Sequence, residues 1–136
     1  MTPPKHVTLR WLEGMHFEGG APGKPTIPID ADGETAPSPM DGLLLDLAGC
    51  TGADVVSILK KKRADLRAFH VDVAGERRAE HPKRYTAITL TFHVTAPGLA
   101  REQALHAIAL SLEKYCSVTH SLAPDIVLRH ELVLEG

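Results

Sequence analysis

The sequence predicts an α+β fold, with strands that run in groups rather than alternating one for one with helices. Two stretches repeat their apolar residues at three- and four-residue steps, six alternate with period two, and glycine- and proline-rich turns separate them. The resulting order is β-β-β-α-β-β-α-β, and grouped strands of this kind favour antiparallel pairs.

Each element has its own signal. Residues 6–12 alternate, with Val7, Leu9 and Trp11 on one side and Thr8 and Arg10 on the other, as in a strand. Glu13-Gly14 marks a turn, and Met15-His16-Phe17 begins a return strand. Gly19, Gly20, Pro22 and Gly23 read as a loose loop. Thr26 to Asp30 reads as a short strand, with Pro28 on an edge because proline cannot donate to a ladder. Ser38 then opens the best-marked helix. Ser38 serves as N-cap, Pro39 takes the first helical position, and Asp41 stands three after the cap as a shortened capping box. Leu43, Leu44, Leu47, Thr51, Val55, Ile58 and Leu59 continue the helical spacing, and Lys60 to Arg63 put positive charge at its C-terminal end.

Phe69, Val71 and Val73 alternate with His70 and Asp72. Ile88, Leu90, Phe92 and Val94 alternate with Thr89, Thr91, His93 and Thr95, so the two runs form a hairpin with a charged tip around residues 80–83. Arg101 to Tyr115 reads as one helix with Leu105, Ile108, Leu112 and Tyr115 as its stripe. Ile126, Leu128, Leu132 and Leu134 mark the last strand. The first helix is apolar over most of its circumference, which places it centrally and asks for more cover than one small domain supplies. A second subunit would supply that cover.

Composition bounds the function. The chain has 136 residues and is expected to form a single domain over 1–136. At 43% hydrophobic and 24% charged it is not a disordered chain. Its net charge is −2, from 15 Lys+Arg and 17 Asp+Glu, so it offers no basic surplus to phosphates and no nucleic-acid partner is expected. Met1-Thr2-Pro3-Pro4-Lys5-His6 contains no apolar stretch, so no signal peptide is expected and the expected location is cytoplasmic. The apolar region from Leu43 to Leu59 is interrupted by Asp46 and Asp54 and reads as a buried helix, short for a membrane span.

Cys50 and Cys116 are the only two cysteines, with no CxxC between them. None of the eight histidines has a partner at HxH or HExxH spacing, so no metal and no other cofactor is expected. Isolated thiols in a reducing compartment are most often small buried hydrophobes. Cys50, however, is flanked by Gly49 and Gly52, which thin the helix beside the sulfur and admit a close neighbour. It falls at the edge of the apolar stripe, facing inward or toward an interface. Asp54, one turn on, would raise its pKa if it faced the sulfur, and Arg10, Lys114 and Arg129 are the available activating cations. His120, one turn from Cys116, could serve it as a base; the favoured reading packs Cys116 under the sheet and leaves His120 on the surface.

With these residues the sequence resembles the OsmC/Ohr family of thiol peroxidases. The resemblance is carried by Ala36-Pro37-Ser38-Pro39-Met40-Asp41, by Leu47-Ala48-Gly49-Cys50-Thr51 and residues 54–59, and by Ser111, Glu113-Lys114-Tyr115-Cys116-Ser117-Val118. It spans nearly the whole chain, and the likeness is to the YhfA-like branch rather than the organic-hydroperoxide branch. The resemblance implies an intertwined homodimer with active sites at the subunit interface. It implies that Cys50 attacks the O–O bond of a hydroperoxide as thiolate and becomes a sulfenic acid, that Cys116 condenses with it to a disulfide, and that an external dithiol resets the pair. No metal, haem or flavin is implied. The hydroperoxide-active branches carry a glutamate where Met40 stands and an arginine on the N-terminal hairpin, where Trp11 to His16 has none. Asp41 and Arg10 are the residues nearest to those places. The residues also leave open a non-catalytic dimer that holds a small ligand in an interface cavity, and a redox sensor whose disulfide alters a surface.

Overall fold

The computed structural model describes residues 2–136; Met1, the first residue of the run read for a signal peptide, lies outside them. The fold is α+β, with the order β1 (Thr8–Glu13), β2 (His16–Gly20), β3 (Ile27–Asp30), α1 (Pro39–Lys61), β4 (Ala68–Arg77), β5 (Tyr85–Thr95), α2 (Arg101–Leu110), a π-helical turn (Ser111–Tyr115), α3 (Ser117–Ser121) and β6 (Val127–Glu135). Two compact units divide the chain, residues 1–43 and 44–136.

The N-terminal unit contains an antiparallel sheet in the order β1-β2-β3. Gly14, at φ +52°, makes the tight turn between β1 and β2, and its carbonyl accepts a 2.8 Å hydrogen bond from the Trp11 indole. Gly19 and Gly20, read as loop residues, extend β2 instead. They pair with Leu9 and Thr8, and a Cβ on Gly19 would lie 3.2 Å from the Thr8 carbonyl, so the close backbone approach explains the glycine. Pro28 lies on edge strand β3 as expected. Asp30 closes the following loop. Its carboxylate accepts hydrogen bonds from the Thr35, Asp32 and Glu34 amides and the Thr35 hydroxyl, and chiefly the Thr35 amide lowers its pKa to about 2. The capping box at α1 also forms: the Asp41 amide donates to the Ser38 hydroxyl at 3.1 Å and the Ser38 amide to the Asp41 carboxylate at 3.0 Å.

The C-terminal unit holds the larger core. Leu47, Thr51, Gly52, Val55 and Leu59 form the buried face of α1. Ile88, Leu90, Phe92 and Val94 form the inner face of β5, and each such fully buried aliphatic or aromatic side chain is worth about 1.5–3 kcal/mol. Arg63, at φ 59°, ends the helix segment in a left-handed cap, with Ala64 donating back to the Leu59 carbonyl at 3.0 Å. At 23 residues and a mean hydropathy of 1.6, α1 has the length and composition of a membrane span, longer than the apolar run suggests. Its residues Leu47, Thr51, Gly52, Val55 and Leu59 are nevertheless buried.

The second sheet runs β4-β5-β6. The β4–β5 hairpin is antiparallel, but β6 joins β5 in parallel, where the grouping of strands suggested antiparallel pairs. Strand periodicity reports which face is buried, not direction. The chain from Ala96 to Ile126, with its helices, is a crossover long enough to return β6 parallel. A second correction concerns the predicted helix 101–115, which is α-helical only to Leu110 and then widens to a π-turn. The buried residues are consequently Ala104, Ala107, Ile108 and Ser111; Tyr115, placed on the predicted stripe, is exposed.

Candidate functional site

Cys50 lies on α1, one residue before the buried pair Thr51 and Gly52. The two glycines beside it have different uses. Gly52 meets the Phe69 ring of β4, where a Cβ would stand 3.3 Å from Cε1. Gly49 is exposed, and a Cβ there would meet nothing within 4 Å, so no close packing explains that glycine. Cys50 itself is half-buried, whereas Cys116 is buried completely.

The π-turn places Cys116. Its amide donates to the Ser111 carbonyl at 2.8 Å, the five-residue step of a π-helix. The same Ser111 donates its buried hydroxyl to the Asp54 carboxylate at 2.8 Å. Asp54 follows Cys50 by one turn of α1, so a single serine ties the Cys50 helix to the turn that carries Cys116. The partner that the structure gives Asp54 is this serine.

Beyond the turn, Cys116 is the N-cap of α3, its sulfur accepting a hydrogen bond from the Thr119 amide at 3.3 Å. Burial pushes the Cys116 thiol above its ordinary value of 9.0. The Thr119 contacts oppose that shift, and a hydrogen bond and electrostatic interaction with Cys50 reinforce it. The two thiols are therefore direct neighbours, and Cys116 is held in its protonated form. The Thr119 hydroxyl is buried without a well-formed hydrogen bond of its own, yet is near enough to the same sulfur to favour its thiolate. His120 donates its amide to the Cys116 carbonyl and is exposed, which matches the surface reading of that residue.

Each supporting residue has a partner of its own. In the N-terminal unit, Arg10 pairs with Glu18 at 3.8 Å and the Asp41 carboxylate is committed to the cap of α1. In the C-terminal unit, Arg129 pairs with Glu76 at 3.4 Å, and Lys114 lies over the Tyr115 ring at 5.3 Å.

Sequence reasoning missed three elements. Ser111, noted only as part of the family resemblance, and Thr119 gave no signal of their bonding roles because a π-turn changes the phase of a helical pattern that periodicity assumes constant. A His70, Asp72 and His93 cluster also forms, across neighbouring strands rather than along the chain. The alternation His70-Val71-Asp72 opposite His93 in a predicted hairpin was its one visible trace.

A paired thiol on a long helix and a following turn, beside this strand order, defines a recognisable class. The OsmC-like protein family matches residues 31–131, and the chain belongs to that family. It is 40% identical over 123 residues to Protein YhfA of Escherichia coli strain K12, covering 90% of this chain and 92% of that protein. Its fold matches the OsmC-like protein from Mycoplasma pneumoniae with a TM-score of 0.85 at 17% identity, covering the whole of both chains. It also matches the organic hydroperoxide resistance protein OhrB of Bacillus subtilis with a TM-score of 0.62 at 20% identity, over 96% of this chain and 98% of that one.

Proposed function

We propose that the protein is a thiol-dependent peroxidase that reduces organic hydroperoxides or hydrogen peroxide. The observation that carries this reading is the nearness of the Cys50 and Cys116 thiols, close enough for each to feel the other, in unlike surroundings. In the proposed cycle the Cys50 thiolate attacks the distal peroxide oxygen. The O–O bond breaks, Cys50 becomes a sulfenic acid, and the leaving alkoxide or hydroxide takes a proton to become alcohol or water. Cys116 then forms an S–S bond with the sulfenic sulfur and water leaves. An external dithiol, as found in a reducing cytoplasm, takes up the oxidation and restores both thiols. Cys50 keeps part of its surface open, which gives the peroxide a way to it. The cycle needs no metal or other cofactor.

The test is peroxide consumption with a dithiol reductant. Cys50→Ser should lower the rate roughly 10³-fold or more, the scale on which loss of a nucleophile acts. A variant that consumes peroxide at the wild-type rate would refute the reading.

A homodimer belongs to the same proposal. Leu9, Trp11 and Ile27 are 57%, 64% and 61% exposed on the N-terminal sheet, and Leu45 on α1 is 59% exposed, more bare apolar surface than a monomer of this size ordinarily carries. Sedimentation equilibrium should give twice the 14.7 kDa chain mass; a single 14.7 kDa species would contradict it.

A further inference from the structure

The solvent face of the β4–β5 hairpin carries a group that the peroxidase reading does not use. His70 and His93 stand directly opposite each other in the antiparallel register. Their imidazoles stack with centroids 4.2 Å apart and planes 7° from parallel. Asp72, two residues beyond His70 and so on the same face, brings one carboxylate oxygen between them. Oδ2 lies 3.0 Å from Nε2 of His93 and 3.8 Å from Nε2 of His70. One donor atom from each of the three residues lies within 4.8 Å of the others.

We propose that His70, Asp72 and His93 form a binding site for a borderline divalent cation of the zinc type. Two imidazole nitrogens and one carboxylate oxygen are a donor set that such ions accept, with the fourth position left to water. Both Nε2 atoms face the same oxygen, so a cation placed there replaces the protons that those contacts need. Stacked rings direct their in-plane lone pairs in parallel, so binding turns one ring toward the other. His70, with 65% of its side chain exposed, has the room to turn, while His93 at 31% is the fixed ligand. An adjoining cavity of about 170 Å³ is lined by Val133, Thr95 and Glu135 as well as both histidines, and the Glu135 carboxylate adds negative charge beside the site.

The test is calorimetric titration of Zn²⁺ into the wild-type protein, His93→Ala, Asp72→Asn and the double variant Cys50→Ser/Cys116→Ser. Outer-sphere partners of a metal alone are worth roughly 10–100-fold in affinity, so loss of either ligand should weaken binding at least tenfold. Wild type and the cysteine double variant should each bind one ion per chain with equal affinity. Each of these variants can be checked for folding by circular dichroism, and His70→Ala supplies a third ligand deletion. Saturable binding that survives loss of His93 and Asp72, binding that disappears with the cysteines, or no saturable binding in the wild type would each overturn the assignment.

Discussion

The two cysteines of this chain are neighbours, yet they arrive in contrasting ways. Cys50 sits in an unbroken α-helix and keeps part of its surface exposed. Cys116 follows a π-turn, is wholly buried, and caps a short helix through its sulfur. In the proposed cycle this difference divides the labour between them. An accessible sulfur can meet a substrate. A buried sulfur whose pKa is raised by desolvation stays protonated, spared from oxidation until its neighbour has reacted.

The sharpest way to break this contrast is at the tether. Ser111→Ala removes the hydroxyl that holds Asp54, and with it a charge-assisted hydrogen bond worth about 1.5–3 kcal/mol. Stability to urea should fall by that amount. Mispositioned reactants should also condense roughly tenfold to a hundredfold more slowly, so that Cys50 runs on to sulfinic acid under excess peroxide. Mass spectrometry of Cys50 checks the second effect separately from the first. Unchanged disulfide yield in the destabilised variant would mean that the tether is structural only.

Much of this was legible along the chain, and what was not has identifiable causes. The capping box at Ser38 and Asp41 and the strand faces followed from local rules that the structure keeps. The extended β2 was hidden because glycines usually signal a loop, whereas here they allow Gly19 to approach the Thr8 carbonyl. The parallel return of β6 was hidden because alternation carries no direction. In the site, the glycines drew attention to Cys50, but nothing in the spacing marked Ser111, whose role depends on one extra residue in a helical turn. The histidine cluster required the hairpin register before it could be seen.

A smaller effect sharpens the contrast through pH. Because the folded-state pKa of Cys116 lies above 9.0, its thiolate is scarce at neutral pH. Timed alkylation should label Cys50 ahead of Cys116 at pH 7, with Cys116 gaining speed only as pH rises beyond 9.0 or when the chain is unfolded. The same shift favours the fold below the ordinary thiol pKa, and that contribution declines as pH rises through the folded value. Faster labelling of Cys116 than of Cys50 at pH 7 would reverse the assigned roles.

The central claim is that the two thiols act as a redox pair, and peptide mapping under non-reducing conditions after one equivalent of peroxide tests it most directly. The account predicts loss of both free thiols, a linked peptide joining Cys50 to Cys116, and full recovery of both thiols with a dithiol. Cys50 found as sulfinic acid beside a free Cys116, with no linked peptide, would contradict it.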